Sequence, residues 1–298
     1  MLLTYDVEMA SVKSTKDVYI DASGVTIHYY RWSPRGEPRA IVQLAHGLGE
    51  HAQRYGELVE FLVKSGIEVW ADDHRGHGAT GLEQWAGDHS QLGKLGPGGM
   101  PATLRAVRDF TRVIREARPD QPLIFLGHSW GSIMGQMILN RGGAKDYDGM
   151  ILTGTAYRWP GSMNAGDLNA RHKHLGTIGA EWLSRDTAVH EAWRDDPLTF
   201  VANTMKLFGP LDAARLIGKP KKLEADIPLL IMIGSDDSLG GEKSVTKLAE
   251  AYVKAGARDV EVQVYDGARH EVFNETNRAE VRADVLAWIE GRLPGANA

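Results

Sequence analysis

The chain of 298 residues contains no cysteine. This absence excludes a disulfide framework, a thiolate nucleophile and thiolate-bound zinc or iron–sulfur sites, so His and carboxylate side chains remain as the strong metal ligands. The chain also has no excess of basic residues, because 34 Lys and Arg face 39 Asp and Glu, for a net charge of −5. Without a basic run, binding to nucleic-acid phosphates is not expected.

Long hydrophobic runs are absent too. No stretch reaches the roughly 18 apolar residues that a membrane span needs. The N-terminal segment lacks the apolar region of a signal peptide, since it carries Asp6, Glu8, Lys13, Lys16 and Asp17. The sequence therefore predicts a cytoplasmic protein without a transmembrane segment.

Short apolar runs bounded by Gly, Pro or Asp alternate with segments of helical period. Runs of this kind are typical of parallel strands that are covered on both faces. Together they predict a doubly wound α/β sheet, with ligands beyond the carboxyl ends of the strands. The predicted strands are 25–32, 40–45, 67–71, 123–126, 150–152, 229–233 and 260–264, and helical periods cover 104–114, 245–253 and 281–289.

One segment, 155–224, interrupts this alternation. It contains no clean strand, but it has helix-like pieces at 180–183, 187–193 and 199–208. Because it is too long for a bare loop, we predict a helical cap at 155–224, inserted into a core domain formed by 1–154 and 225–298. Its apolar side chains would pack within the cap, against the core, or along an acyl pocket.

The strand 123–126 runs into a G-x-S-x-G motif at 127–131, and helical spacing follows it. In this strand–turn–helix context the motif predicts a sharp turn that exposes the hydroxyl of Ser129 above the sheet. Gly127 and Gly131 would remove the Cβ atoms that collide across such a turn. Ser129 is therefore the predicted nucleophile.

A serine nucleophile needs a histidine to accept its proton and an acid to orient that histidine. His270 follows the last predicted strand and is the predicted base. Asp236 and Asp237 both follow the strand 229–233, and spacing does not choose between them. The amides of Leu48 and Trp130 are the predicted oxyanion donors, because each lies at a turn next to a strand end.

Other histidines receive less specific interpretations. His46 is predicted to support the oxyanion loop. His74 and His77 resemble a metal pair, but the glycines around them predict a loop and no carboxylate completes a site, so no metal or other cofactor is expected. His172 and His174 are interpreted as exposed residues of a surface helix.

Several motifs in order resemble the monoacylglycerol lipase and lysophospholipase-like branch of the α/β-hydrolases. They are H-G-L-G-E-H at 46–51, R-Y at 54–55, D-H-R-G-H-G at 73–78, G-H-S-W-G at 127–131 and G-A-R-H-E at 267–271. The resemblance covers nearly the whole chain outside the cap. It implies an α/β-hydrolase fold, with a mostly parallel sheet of about eight strands and a helical lid.

The resemblance also implies roles for individual residues. It selects Asp237 as the acid, and it places Glu50 and Arg54 near the head group of a monoacylglycerol. Those family members have a further histidine three positions after the catalytic one, whereas this chain has Phe273 there, which departs from their glycerol contacts. Glu50 and Arg54 also have the spacing of a structural ion pair at a helix start.

The predicted function is a serine carboxylic-ester hydrolase acting on monoacylglycerol- or lysophospholipid-like esters. Its expected partners are a small-molecule ester with an apolar acyl chain and, transiently, a lipid surface. A second interpretation keeps the triad for an aminopeptidase or thioesterase, because the residues 130–132 resemble the elbow of proline iminopeptidases, although the Gly-Pro oxyanion loop of those enzymes is absent. A third is a catalytically silent binding module.

Overall fold

A computed structural model describes residues 12–293 of the chain. Its strands are β1 (Thr15–Ile20), β2 (Thr26–Trp32), β3 (Ala40–Ala45), β4 (Ile67–Asp72), β5 (Leu123–His128), β6 (Gly149–Thr153), β7 (Leu229–Gly234) and β8 (Val260–Tyr265). They form one sheet in the order β1-β2-β4-β3-β5-β6-β7-β8. Pairing is antiparallel from β1 to β2 and from β2 to β4, and parallel across the rest of the sheet.

The α-helices are α1 (Gly56–Lys64), α2 (Gly78–Gln84), α3 (Gly99–Ala117), α4 (Trp130–Leu139), α5 (Thr187–Asp195), α6 (Thr204–Arg215), α7 (Glu242–Ala255) and α8 (Arg278–Glu290). Short 3₁₀ turns lie at Ala52–Tyr55, His89–Gln91, Gly143–Asp146, Lys173–Leu175 and Val272–Asn274. Helix α6 is interrupted at Gly209, whose φ of 73° is not helical and which precedes Pro210.

The sheet separates two hydrophobic clusters because successive side chains of a strand point to opposite faces. On β5, Phe125 belongs to the cluster that contains apolar residues of α3, α4 and α7. Its neighbours Ile124 and Leu126 belong to the cluster that contains apolar residues of α1 and α8. The central strands are therefore covered on both faces, as their unbroken apolar runs predict.

Every predicted strand is present, but β1 has no counterpart in the sequence prediction. Most of its side chains are exposed at the edge of the sheet, including the apolar Val18 and Ile20. Tyr19 anchors it, because its ring stacks on Phe110 of α3 with centroids 6.0 Å apart. An edge strand needs little apolar surface, so hydrophobic patterning does not reveal it.

Between β6 and β7 the described chain contains α5 and α6 but no strand. The helix-like piece predicted at 180–183 is wrong, since this segment forms turns, and the piece at 199–208 becomes helical only from Thr204. The Glu181 carboxylate accepts from the amides of Ile178 and Gly179, so it favours a turn over a helix. The division into core and cap stays a prediction, and residues 1–11 and 294–298 of the predicted core lie outside the described residues.

No helix within residues 12–293 has the length and apolar content needed to cross a membrane.

Candidate active site

Ser129 lies at the turn between β5 and α4, with φ 51° and ψ −115°. A positive φ is strained for a residue with a Cβ, so close packing must hold it in place. A Cβ atom built on Gly131 would lie 2.0 Å from the Ala45 carbonyl oxygen, and one built on Gly127 would lie 2.7 Å from the Gly131 carbonyl carbon. Both glycines of the motif are therefore required by backbone contacts.

His270 and Asp237 form a buried pair behind this turn. The distance from His270 Nδ1 to Asp237 Oδ2 is 3.0 Å, and both residues are at most 2% exposed. Because an ionised carboxylate only accepts, Nδ1 carries the hydrogen and donates it. The second ring nitrogen, Nε2, is buried and has no hydrogen-bond partner among residues 12–293, so it is the nitrogen free to accept a proton.

The charge of Asp237 also affects the basicity of His270. Burial lowers the pKa of His270, but the charge of Asp237 and the hydrogen bond to it outweigh this effect, and the pKa lies above its ordinary value of 6.5. The neighbouring His128, with its ring centroid 4.8 Å away, behaves differently. Burial lowers the pKa of His128 to about 3, so it stays neutral near pH 7.

Ser129 and His270 both lie beside the end of strand β6. The Ser129 amide donates to the Thr153 carbonyl at 2.9 Å. A Cβ built on the next residue, Gly154, would lie 3.0 Å from His270 Cε1. The structure thus brings Ser129, Asp237 and His270 to the same edge of the sheet.

The two adjacent aspartates face different neighbours. Asp237 Oδ1 accepts from the Leu239 amide at 2.7 Å while Oδ2 faces His270. Asp236 instead pairs with His172, with 2.8 Å between Oδ2 and Nε2, and with Arg171. His172 is only 3% exposed, so its interpretation as an exposed surface residue is wrong.

The loop after β3 lies against the serine. A Cβ built on Gly47 would lie 2.6 Å from Glu50 Oε1 and 3.1 Å from Ser129 Cβ, so a side chain there would crowd both residues. His46 Nδ1 donates to the Gly47 carbonyl at 2.7 Å, and its Nε2 accepts from the His74 amide at 2.9 Å. These bonds favour the predicted supporting role of His46. The oxyanion role of the Leu48 and Trp130 amides stays a prediction.

Glu50 and Arg54 belong to a buried network of charged side chains. They do not share the face of an α-helix, because the chain forms a 3₁₀ turn at Ala52–Tyr55. Arg54 Nη1 donates to Glu50 Oε2 at 2.8 Å. Arg54 also donates through Nη1 and Nη2 to the two carboxylate oxygens of Glu271, at 2.7 and 3.0 Å. Phe273 is not part of this network, since it is 3% exposed and packs in the cluster on the side of α1 and α8.

Residues between β6 and β7 cover the site. The Trp182 ring lies against His270, with centroids 4.6 Å apart, and Phe208 lies 5.4 Å from the ring of Trp130. The backbone also connects, because the Phe200 amide donates to the Gly49 carbonyl at 3.1 Å and the Glu271 amide to the Leu183 carbonyl at 2.7 Å. These contacts attach the segment to the loop after β3 and to the loop after β8.

His74 and His77 each use the Nδ1 nitrogen for a contact within the protein. His74 Nδ1 contacts Asp72 Oδ2 at 2.8 Å, and His77 Nδ1 donates to the Arg75 carbonyl at 3.0 Å. Within residues 12–293 no group of three or more His, Asp or Glu side chains is arranged to hold a metal ion.

The sequence predicts no individual role for Glu271, and it treats Trp182 only as one of the apolar side chains of the cap. Glu271 directly follows His270 in the G-A-R-H-E motif, and this adjacency is the signal that could have identified it. Trp182 gives no such signal, because only the folded chain brings residue 182 onto residue 270.

The chain is similar in sequence to several known proteins. Residues 36–277 match the family model described as serine aminopeptidase, S33. The chain is 33% identical to a monoacylglycerol lipase of Mycolicibacterium smegmatis, over 96% of this chain and 100% of that one. It is 26% identical to the monoglyceride lipase of Mus musculus, over 94% and 91% of the two chains.

A likeness to a solved structure concerns the fold. The crystal structure of a thermostable carboxyl esterase from Bacillus coagulans, in complex with glycerol, superposes with a TM-score of 0.79 at 24% identity, over 95% of this chain and 100% of that one. The predicted α/β-hydrolase fold, with its mostly parallel sheet of eight strands, is confirmed.

Proposed function

The chain belongs to the α/β-hydrolase family described as serine aminopeptidase, S33, within its monoacylglycerol lipase-like branch, and from this membership we propose that it hydrolyses carboxylic esters through Ser129, His270 and Asp237. The main support for this proposal is the arrangement of His270, Asp237 and Ser129. The His270–Asp237 pair, with 3.0 Å between Nδ1 and Oδ2, lies beside a serine held at φ 51°. That arrangement supplies a nucleophile, a base and an orienting acid on one sheet edge.

In the proposed reaction Ser129 Oγ attacks the ester carbonyl while His270 Nε2 takes its proton. Asp237 holds the hydrogen on Nδ1 and stabilises the imidazolium that forms. The imidazolium then returns the proton to the leaving alcohol, which leaves an acyl group on Ser129. Water, deprotonated by His270, attacks this acyl-enzyme and releases the carboxylic acid and free serine.

The negative charge on the carbonyl oxygen needs donors during both steps. We assign them to the amides of Leu48 and Trp130, because Gly47 and Gly131 bring both turns against each other. A Gly47 Cβ would meet Ser129, and a Gly131 Cβ would meet the end of β3. Loss of one such donor typically slows an enzyme by about 10²–10³-fold.

The proposed substrates are monoacylglycerol- or lysophospholipid-like esters. The two relatives compared over nearly their whole length are named as monoacylglycerol or monoglyceride lipases. Aromatic side chains of the segment over the site support an apolar acyl chain, since Phe208 packs on Trp130 and Phe200 lies 5.5 Å from the ring of His77. Location in the cytoplasm and transient contact with a lipid surface stay predictions of the sequence.

An aminopeptidase is the alternative that the family description suggests. Such an enzyme needs a carboxylate free to bind the substrate's ammonium group. The carboxylates of Glu50, Glu271 and Asp237 are each already paired with an Arg, a His or backbone amides. This engagement favours ester over aminoacyl substrates.

The test compares initial rates on p-nitrophenyl esters of two to sixteen carbons, a monoacylglycerol and an aminoacyl anilide. We expect the highest rates at medium or long chains, turnover of monoacylglycerol and little activity on the anilide. Ser129→Ala is the control and should abolish turnover while the protein stays folded. Persistent activity of this variant would contradict the assignment of Ser129 as the nucleophile. Failure of a fluorophosphonate probe to label Ser129 would contradict the proposal and favour a catalytically silent binding module.

A further inference from the structure

A buried chain of charged side chains connects the two loops of the site. Glu50 belongs to the loop after β3, Glu271 directly follows His270, and Arg54 lies between them. The three side chains are at most 10% exposed. Two loops that are far apart in sequence are thereby linked by ionic hydrogen bonds, which are roughly twice as strong as neutral ones.

The Glu50 carboxylate is occupied on both oxygens. Oε1 accepts from the Gly47 amide at 2.6 Å and from the Tyr55 hydroxyl at 2.7 Å, and Oε2 accepts from Arg54 at 2.8 Å. The bond to Gly47 holds the His46–Gly47 peptide, one residue before the Leu48 amide that is the proposed oxyanion donor. Glu50 therefore constrains the orientation of the oxyanion loop.

The Glu271 carboxylate is equally occupied. Its two oxygens accept the fork of Arg54 Nη1 and Nη2, and Oε2 also accepts from the Asn274 side chain at 2.7 Å. Burial raises the pKa of Glu271, but the Arg54 guanidinium outweighs this and lowers it to about 2, so Glu271 is ionised near pH 7. A planar two-bond contact of this kind fixes both distance and angle.

We propose that Glu50, Arg54 and Glu271 are positioning residues that hold the oxyanion loop and the histidine loop at a fixed separation, and that they do not bind the substrate's head group. A glycerol hydroxyl at Arg54 would have to displace a charged acceptor that is already bound in good geometry. This inference rests on the proposed ester hydrolysis. It departs from the head-group role that the family resemblance implies for Glu50 and Arg54.

The network also contributes to the electric field at His270. Burial lowers the pKa of His270, but the charges of Asp237, Glu271 and Glu50 raise it, and His128, whose ring centroid lies 4.8 Å away, is neutral near pH 7. Removal of the Glu271 charge would therefore lower the pKa of His270. The acid limb of kcat/KM should then move to lower pH.

The test variant is Glu271→Gln, measured on a monoacylglycerol and on a p-nitrophenyl ester with the same acyl chain. We expect kcat to fall about 100-fold on both substrates, the usual effect of a small misplacement of reacting groups. KM should change less than about threefold, because no head-group contact is lost. The acid limb should shift to lower pH.

Glu68→Gln is a matched control at the opposite end of the sheet. Glu68 is also buried and is bonded to two arginines, Arg31 and Arg118, and hydrogen bonds outweigh the effect of burial to lower its pKa to about 2. It lies near the amino end of β4, away from the site. This variant should lose stability but keep kcat and the pH profile of the wild type.

Three results would overturn the inference. A loss confined to the monoacylglycerol and to KM would show that the network binds the head group. A Glu271→Gln enzyme with the kcat and pH profile of the Glu68→Gln control would show a purely structural role. If Glu271→Gln does not fold, Arg54→Lys is the second test, because lysine keeps the positive charge but cannot form the two-bond contact with Glu271. An unchanged kcat in Arg54→Lys would also overturn the inference. Failure of the proposed function would appear separately, as activity in Ser129→Ala.

Discussion

The contrast between Asp237→Asn and Asp236→Asn tests the site most sharply, because the two substitutions are chemically identical and adjacent. In Asp237→Asn the Leu239 amide would still require an oxygen acceptor at the Oδ1 position, where it now bonds at 2.7 Å. The new side-chain NH₂ group would then point at His270 Nδ1. That nitrogen would have to accept, so the ring hydrogen would move to Nε2.

A histidine with its hydrogen on Nε2 does not accept a proton from Ser129. The loss of this tautomer lowers kcat by about 10⁴-fold in serine hydrolases of known mechanism. This corresponds to about 5 kcal/mol in the transition state. The fold should persist, because Asn occupies the same volume as Asp.

Asp236→Asn should have little effect. Asp236 is about one-third exposed and contacts Arg171 and His172 rather than His270. Its pair with Arg171 is exposed, and an exposed ion pair contributes less than about 1 kcal/mol to stability. We expect kcat to stay within about threefold of the wild type.

The assay is steady-state hydrolysis of a p-nitrophenyl ester near pH 8, with thermal unfolding by circular dichroism as the control for folding. A folded Asp237→Asn enzyme with more than about a tenth of the wild-type kcat would refute the reasoning from tautomers. An Asp236→Asn enzyme with the larger loss would show that the assignment of the acid is reversed.

Further predictions concern packing and pH. Gly131→Ala should lower the free energy of unfolding in urea titrations by about 3 kcal/mol or more, because its Cβ would lie 2.0 Å from a backbone oxygen. In the control Gly291→Ala the nearest contact of the new Cβ would be 3.4 Å, so this change should be close to neutral. Asp237 raises the pKa of His270 above 6.5, so kcat/KM should fall on acidification with a midpoint above pH 6.5, and a midpoint below that would contradict the pairing. Burial lowers the pKa of His51 and raises that of Asp196, but the bond of 2.7 Å between them outweighs burial, so the pKa of His51 is raised and that of Asp196 is lowered. The stabilisation from this bond, about 1–2 kcal/mol, should be fully present between about pH 4 and 6.5. It should decline as pH rises through the raised pKa of His51, and also as pH falls through the lowered pKa of Asp196. Urea titrations of Asp196→Asn against the wild type across that range test this, and an unfolding difference that grows above pH 7 would contradict it.

Local patterns in the sequence predict the core of this fold well. Buried parallel strands need continuous apolar runs, so their positions can be read directly, and the G-x-S-x-G turn identifies Ser129 because few residue types fit so tight a bend. Chain order then indicates His270, since it follows the last strand. These features depend on a few neighbouring residues.

Features that depend on distant partners are not in the local pattern. The edge strand β1 is largely exposed and forms through pairing with β2. The segment 180–183 has helix-like composition, yet the turns around Glu181 and the contact of Trp182 with His270 determine its shape. Tertiary contacts outweigh local propensity there.

The sequence by itself determined the fold class and was sufficient to predict Ser129 as the nucleophile and His270 as the base, because these follow from periodicity, glycine positions and chain order. Spacing leaves Asp236 and Asp237 open and the family resemblance selects Asp237, but only the tertiary structure shows which of them faces the histidine, since one residue of separation turns a side chain to a different neighbour. It likewise decided that Glu50 and Arg54 are enclosed with Glu271. Whether a charged side chain binds substrate or another residue depends on which partners fill its hydrogen bonds, and those partners come from distant parts of the chain.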